Sequence, residues 1–446
     1  MRGKRALISP PFTIAEYASR RERLMAAIGP DSVAIVPSAS YVQRNSDVDF
    51  PFRQESNFFY LTGFDEPDCV LILTPGNSQG ETTLLLRPRD VRNEQWTGER
   101  LGPDRAPQAL GVDQALENAA ATTRVPRLLD GRAEIHTFLG ANKQFESRLF
   151  SWIDTLRSKR KQPPARFCQL SETLHELRVV KTELEIEAMQ RAADISSEAH
   201  IRAMRMCRPG LFEYQLEGEI VRTFFEHGAR EPAYPSIVGA GANACVMHYI
   251  QNSDQLHDGD LVLIDAGCEF QHYAADITRT FPVNGRFSSR QRDLYQVVLH
   301  AQGAAIEAGQ PGAKFSDLHD TSFRCLTQGL IDLGILNASF QEAVEKELAK
   351  PFTVHGCSHF LGLDVHDVGA TKKGTLSRTL CEGMVFTVEP GLYFPPGPTC
   401  DGIDDGWKGL GIRIEDDILI EADGNRVLTV ACPKEPEAVE ATMHGD

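Results

Sequence analysis

Short apolar runs alternating with longer amphipathic stretches set the plan of this chain. Residues 13 to 28, TIAEYASRRERLMAAI, carry helical spacing, with Thr13 as N-cap and Gly29 as the stop. SVAIVPSA, SNFFYLTGF, DCVLILTPG and GETTLLLRP are rich in branched and aromatic residues between turn formers, so each predicts a strand. Residues 91 to 175 mix helical stretches such as RLFSWIDTLRSKR with short strands. Together these predict an α/β first domain.

The pattern changes near residue 178. RVVKTELEIEAMQRAADISSEAHIRAMRM is a long helical stretch, charged on one side, and Thr182 with Glu185 makes a capping box at its start. The domain boundary is placed just before it, giving domains 1–176 and 177–446. A second helix, EYQLEGEIVRTFFEHGA, follows Pro209-Gly210. The chain is then strand-rich through YPSIVGAGANACVMHY and LVLIDAGCEFQHYAADITRTF. Helices resume at SRQRDLYQVVLHAQGAAIEA, FSDLHDTSFRCLTQGLIDLG and SFQEAVEKELAK, and a last strand-rich part runs from about 352 to 432. The tail PKEPEAVEATMHGD has Pro and charge with few apolar anchors, and is expected to fray.

Composition narrows the function. At 446 residues the chain can bury two domain cores, and 41% hydrophobic with 24% charged residues is ordinary for a globular protein. A net charge of −16 argues against a nucleic-acid-binding surface. The ten cysteines show no C-x-x-C spacing and several lie in apolar runs (Cys69, Cys245, Cys432), which suits reduced thiols. The basic start MRGKRALISPPFTIAEYASRRERL has no apolar core of a signal peptide, and no apolar run approaches ~20 residues. The expectation is a soluble, cytoplasmic protein that engages neither membrane nor nucleic acid.

The chemistry starts at residues 261 to 281. As a hairpin turning between Phe270 and Gln271, this stretch would set Asp265 and Asp276 directly opposite, Cβ atoms ~4.5–5.5 Å apart. Two carboxylates that close, beside Val262, Ile264 and Ile277, call for a positive partner. Alone, the pair reads as a solvated hairpin face. VHGCSHFLGLDVHDVG adds His355, His359 and His366; a spacing of four would align the first two on one helical face. It is not H-E-x-x-H, since Gly356 stands where that motif has its glutamate, and each histidine alone reads as an ordinary core or surface residue. In MVFTVEPGLYF, Thr387 and Glu389 share one strand face. In LGIRIEDDILI, Arg413 and Glu415 face opposite Ile412 and Ile414, by themselves an ordinary ion pair.

Taken together, Asp265, Asp276, Glu389 and Glu415 sit at strand positions in or beside apolar runs, with His359 added. The set is too oxygen-rich for a structural zinc site and suits two adjacent Mn, Co, Fe or Zn ions bridged by carboxylates. Such a pair polarises a carbonyl and lowers the pKa of a bridging water. LIDAGCEFQHYAADITRTF, HGCSHFLGLDVHDVG, FTVEPGLYF, GIRIEDD and the upstream VMHYIQN resemble, in order and spacing, the ligand motifs of the dinuclear "pita-bread" metallopeptidases of the creatinase, prolidase and methionine aminopeptidase type. The resemblance extends through NSDVDFPFRQESNFFYLTGFDEPDCVLIL and NEQWTGERLG to the aminopeptidase P branch, whose members release the residue before proline from peptide N-termini.

That resemblance implies an N-terminal creatinase/prolidase-type α/β domain followed by a C-terminal pita-bread (α+β) domain. It implies Asp265, Asp276, His359, Glu389 and Glu415 as metal ligands, Asp276 and Glu415 bridging. Two divalent ions are implied, with Mn²⁺ as the expected occupant and Co²⁺, Zn²⁺ or Fe²⁺ as alternatives. Glu389 would shuttle the proton from water to the departing amine. His248 and His366 would hold the carbonyl and its tetrahedral intermediate. His355, Tyr393 and Arg413 would wall the proline pocket, and Trp96 would reach a neighbouring subunit's site in a homo-oligomer, dimer or tetramer. The implied substrates are peptides with an N-terminal Xaa-Pro, whose bond lacks the N–H most peptidases grip.

Three rivals stand beside this reading. SIVGAGANA has a G-x-G-x-x-A skeleton, but CVMHYIQNSDQLHDGD after it is too short and broken for the helix a dinucleotide site needs. A prolidase, cleaving Xaa-Pro dipeptides, would use the same ligands, and only the first-domain motifs favour the aminopeptidase. A non-catalytic binding module has no reason to keep all five ligating side chains.

Overall fold

The computed structural model describes residues 11–445. The basic first ten residues, part of the stretch read for a signal peptide, lie outside the described residues. The chain divides into two compact units, Met1–Leu177 and Arg178–Asp446.

The first unit is built on a six-stranded mixed sheet. Helix α1 (Ile14–Ile28) leads into β1 (Ser32–Pro37); α2 (Ser56–Thr62), β2 (Val70–Leu73), β3 (Thr82–Leu86) and α3 (Val91–Thr97) follow. Then come β4 (Gln114–Glu117), α4 (Ala121–Leu129), β5 (Glu134–Thr137), α5 (Lys143–Ser158) and β6 (Arg166–Gln169). The strand order is β4-β3-β2-β1-β5-β6, with β1 parallel to β5 and β5 parallel to β6. One face buries Val33, Ile35, Ile72 and Ile135 under Val125 and Leu129 of α4 and Leu149, Trp152 and Ile153 of α5.

SNFFYLTGF departs from its expected strand: Ser56–Thr62 is a helix. Glu55 caps it by accepting the Phe58 N–H at 2.7 Å, and Gly63 ends it in the left-handed region at φ 61°. All of α2 is buried, so its sequence carries no polar face by which period 3.6 could show itself.

The second unit opens with α6 (Glu183–Met206), whose expected capping box forms: the Thr182 N–H donates to Glu185 Oε2 at 3.0 Å. Helix α7 (Glu213–Glu226) and strands β7 (Ile237–Ala240), β8 (Leu261–Asp265), β9 (Cys268–Phe270), β10 (Tyr273–Ala274) and β11 (Thr278–Pro282) follow. After α8 (Ser289–Ala308) and α9 (Phe315–Asp332) come β12 (Val385–Val388), β13 (Gly391–Tyr393), β14 (Gly411–Arg413), β15 (Asp416–Glu421) and β16 (Gly424–Val427). Three short sheets, β7-β8-β11, β12-β15-β16 and β13-β14, carry the unit. The G-x-G-x-x-A segment runs from β7 into a 3₁₀ turn at Gly241–Cys245 with no helix after it, so the dinucleotide reading has no βαβ frame.

The tail is not frayed. Pro436–His444 forms α10, with Val439 fully buried and Glu440 accepting from Arg292 at 2.9 Å. Pro436 sits in the first turn, where its missing N–H costs nothing. All ten cysteines are free. No described helix is long and apolar enough to cross a membrane.

Candidate active site

The site is organised by the hairpin β8–β11, but in a register different from the expected one. Asp265 lies opposite Thr278, and Phe270 opposite Tyr273, so the turn is Gln271-His272. Both turn residues have positive φ (53° and 70°), the two-residue primed geometry that suits strand twist. Asp276 is thereby the diagonal neighbour of Asp265, shifted by two positions and so on the same face. Gly267 allows the close approach here: a Cβ on it would stand 1.8 Å from the Ala275 carbonyl oxygen.

Tyr234, which carries no mark in the sequence, joins the two acids. Its hydroxyl oxygen is 2.6 Å from Asp265 Oδ1 and 2.5 Å from Asp276 Oδ1. A hydroxyl has one proton to donate, so it satisfies only one of the two carboxylates at a time. The Asp276 carboxyl is pushed up by burial and by Asp265 beside it.

The histidine-rich stretch is extended, not helical, correcting the helical-face expectation. Residues 357 to 361 run beside β12: the Thr387 N–H donates to the His359 carbonyl at 2.9 Å and the Glu389 N–H to the Cys357 carbonyl at 2.9 Å. A spacing of four satisfies period 2 as well as 3.6, so the sequence could not separate them. His359 Nδ1–H donates to the Phe360 carbonyl at 3.0 Å, leaving Nε2 aimed at Asp276 Oδ2 (3.5 Å) and Glu389 Oε1 (3.4 Å). Burial opposes charge on this ring, yet Asp276 and Glu389 carry it up to about 9.

Glu389 leaves β12 where Pro390 keeps the chain extended, and the Thr387 hydroxyl donates to its Oε1 at 3.2 Å. Burial pushes its carboxyl up to about 7. Glu415 follows β14; its Oε2 accepts from the Thr278 hydroxyl at 2.6 Å. Its carboxyl is pushed far up by burial and by Asp276, Glu389 and Asp265.

Arg413 is buried and wholly engaged: Nε donates to Thr278 Oγ1 (3.0 Å), Nη1 to the Tyr393 hydroxyl (2.9 Å) and Nη2 to Asp265 Oδ2 (2.5 Å). Tyr393 passes the chain on to His355 Nε2 at 2.7 Å, and His355 Nδ1–H donates to the Gly356 carbonyl at 2.8 Å. Burial and Arg413 hold His355 down at about 4, so it is neutral at pH 7 and accepts the tyrosine proton.

A cavity of about 240 Å³ is lined by Asp265, Asp276, His359, Glu389, Glu415, Arg413, His355, His248 and His366, with Met247, Gly356 and Ser358. His248 and His366 also line an adjoining cavity of about 340 Å³, whose walls add Ile237, Ile250 and Val365. Tyr393 stands behind His355. Trp96 belongs to the first unit, on α3, with its indole 88% exposed.

Four carboxylates converge with the His359 imidazole and the Arg413 guanidinium, and three of the acids are driven toward protonation. Donor atoms of Asp276, His359 and Glu415 lie within 4.8 Å of one another. An oxygen-rich set with one imidazole, short of positive charge and hydrogen-bonded from behind, fits divalent cations of the Mn²⁺, Co²⁺, Fe²⁺ or Zn²⁺ class.

Comparison with known proteins agrees with this chemistry. Residues 187–422 match the metallopeptidase family M24 and residues 17–136 the aminopeptidase P N-terminal domain. The chain is 43% identical over 432 residues to the Xaa-Pro aminopeptidase of Escherichia coli K12, covering 96% of this chain and 97% of the relative. The solved structure of Pseudomonas aeruginosa aminopeptidase PepP superposes with a TM-score of 0.96 at 45% identity, covering 98% and 99% of the two chains. Zinc-substituted E. coli aminopeptidase P in complex with product gives 0.94 at 42%, covering 97% and 99%. The chain belongs to metallopeptidase family M24, in its aminopeptidase P branch.

Proposed function

We propose that this chain is a Xaa-Pro aminopeptidase that removes the N-terminal residue from peptides carrying proline second. The observation that carries this is the single cavity lined by Asp265, Asp276, His359, Glu389 and Glu415, in a chain similar along nearly its whole length to Xaa-Pro aminopeptidases. Those five residues would hold two divalent ions, Mn²⁺ first among them, with Asp276 and Glu415 shared between both. Ions bound there supply Lewis acidity, polarising the scissile carbonyl and lowering the pKa of water.

The protein's own groups do the rest. Glu389 takes a proton from the attacking water and hands it to the proline nitrogen as the C–N bond breaks; a carboxyl raised toward neutrality suits both directions. His248 and His366 donate N–H groups to the carbonyl oxygen as it gains charge. His366 is held low by burial and by His359, so it does this as a neutral ring. His355 and Arg413 form the wall against the proline ring, Tyr393 joins them from behind, and Arg413 also fixes Asp265. The negative cavity draws in the substrate's α-ammonium. The domain boundary at 176/177, a cytoplasmic location and a dimer or tetramer in which Trp96 reaches a neighbour's site complete the reading.

Hydrolysis of Arg-Pro-Pro against Ala-Pro by metal-stripped protein reloaded with Mn²⁺ tests it. Release of arginine with little action on the dipeptide supports the aminopeptidase. The reverse preference makes the chain a prolidase. No cleavage with Mn²⁺, Co²⁺ or Zn²⁺ overturns the catalytic reading.

A further inference from the structure

A second group of metal-type donors lies in the first unit, on the face of the sheet turned away from α4 and α5. Glu134 and His136 are two positions apart on β5 and share that face; Cys168, on the edge strand β6, is the direct partner of His136. Their neighbour Ile135 points the other way, into the apolar core, so strand alternation alone gathers the three. His136 Nε2 is 3.2 Å from Glu134 Oε2, and Cys168 Sγ is 3.6 Å from the same oxygen. All three donor atoms lie within 4.8 Å of one another.

The Nε2···Oε2 and Sγ···Oε2 distances match two edges of a coordination tetrahedron. Bonds of ~2.0–2.1 Å to nitrogen and oxygen and ~2.3 Å to sulfur give N···O edges of about 3.3 Å and S···O edges of about 3.6 Å. Arg166 orients the carboxylate, its Nε donating to Glu134 Oε1 at 2.7 Å and leaving Oε2 to the histidine and cysteine. The imidazole is 7% exposed and its Nδ1 has no hydrogen-bond partner, so Glu134 is the group that sets the ring's orientation. Without an ion, Nε2–H donates to Glu134 Oε2, so a bound cation takes the place of that proton. Arg166 is a nearby positive charge, but its side chain is 67% exposed and its field is screened by water.

We propose that Glu134, His136 and Cys168 form a metal site for one borderline-soft divalent cation of the Zn²⁺ or Co²⁺ class, separate from the oxygen-rich cavity of the second unit. Thiolate and imidazole select such ions over Mn²⁺ and Mg²⁺, with water completing the shell. On binding, the Cys168 thiol gives its proton to solvent, so affinity falls as pH drops. Glu134 and the Cys168 thiolate then neutralise the ion's two charges. The bound ion ties the edge strand β6 to β5 through side chains as well as through the ladder.

The test uses the full chain, stripped of metal and titrated with Co²⁺, beside Cys168→Ser and Glu134→Gln. The wild type should take up one more cobalt per chain than C168S at micromolar metal. It should also show a thiolate-to-cobalt charge-transfer band that C168S lacks and that Zn²⁺ displaces. E134Q should keep the band with affinity weakened at least ~10-fold. Zn²⁺ should raise the melting temperature of the wild type by a few degrees more than that of C168S, about what one saturated site supplies. Xaa-Pro hydrolysis should be the same in all three proteins, which separates this site from the catalytic one. Equal cobalt content in wild type and C168S, or a band that survives C168S, overturns the proposal.

Discussion

Glu415 and Asp416 are consecutive residues, equally buried, and their carboxyls are driven in opposite directions. Strand alternation sends them to opposite faces. Asp416 meets Arg279 Nη2, the Thr429 hydroxyl, Gln302 Nε2 and Lys434 Nζ, each at 2.7 Å. Burial would raise it, yet Arg279 and Lys434 hold it at about 2. Glu415 meets one hydroxyl and three other acids, and is pushed far up. A buried acid whose lone pairs are all taken holds the fold together. One left short of positive partners is an ionic demand that a ligand must meet.

The sharpest break of this symmetry is paired substitution. Glu415→Gln should lower metal-dependent kcat/KM by at least ~10³-fold while leaving the urea midpoint unchanged or higher, because one of several repelling acids is gone. A loss of stability to match the loss of rate would make Glu415 a structural acid like its neighbour. Asp416→Asn should do the reverse, destabilising by about 3–5 kcal/mol in urea melts because Arg279 loses its buried partner. Unchanged stability would show that the four-contact shell contributes nothing.

His200 gives a third solution, burial without charge. It is fully buried, its Nε2 is 2.9 Å from the Ala266 carbonyl, and burial holds it down to about 4. Below an ordinary value of 6.5 the unfolded chain takes up a proton that the fold refuses until about pH 4. Stability should therefore fall, by on the order of 3 kcal/mol, as pH drops across that window. His200→Gln should flatten this part of the curve of unfolding free energy against pH. Asp416 has the depressed acid's signature, with stability present above pH ~4 and lost only toward pH 2, so the two contributions separate on one titration.

The smallest effect concerns geometry at constant charge. Arg413→Lys keeps the cation but loses the fork that spans Thr278, Tyr393 and Asp265. About a 10²-fold loss in kcat/KM is expected, with the melting temperature little changed. Full activity would mean that Asp265 and Tyr393 need only the charge.

The site was legible in the sequence because its acids stand on apolar strands, where a carboxylate is conspicuous. The hairpin register was not, because Gln271-His272 takes up a turn usually marked by Asn-Gly. The slip did no harm to the site: moving a partner by two positions preserves the face, so Asp265 and Asp276 still meet. Tyr234 carried no signal, being one aromatic before a proline whose role exists only in three dimensions. The all-buried α2 hid its period. The tail misled by composition: Val439 anchors a helix whose charges find Arg292 across the fold.

Arg279 reaches beyond Asp416. Its Nη2 and Nε donate to the carbonyls of Cys432 (2.9 Å) and Pro433 (3.1 Å), and the Tyr295 hydroxyl donates to that of Lys434 (2.6 Å). Residues 432 to 434 thus close the back of the segment where Glu415 leads into β15, although the family match stops at 422. Anyone excising the second unit by homology limits alone would remove that closure and strip Asp416 of Lys434. A piece of this unit that keeps the closure behind Glu415 must run past residue 434, and one that also keeps the buried Val439 must include α10.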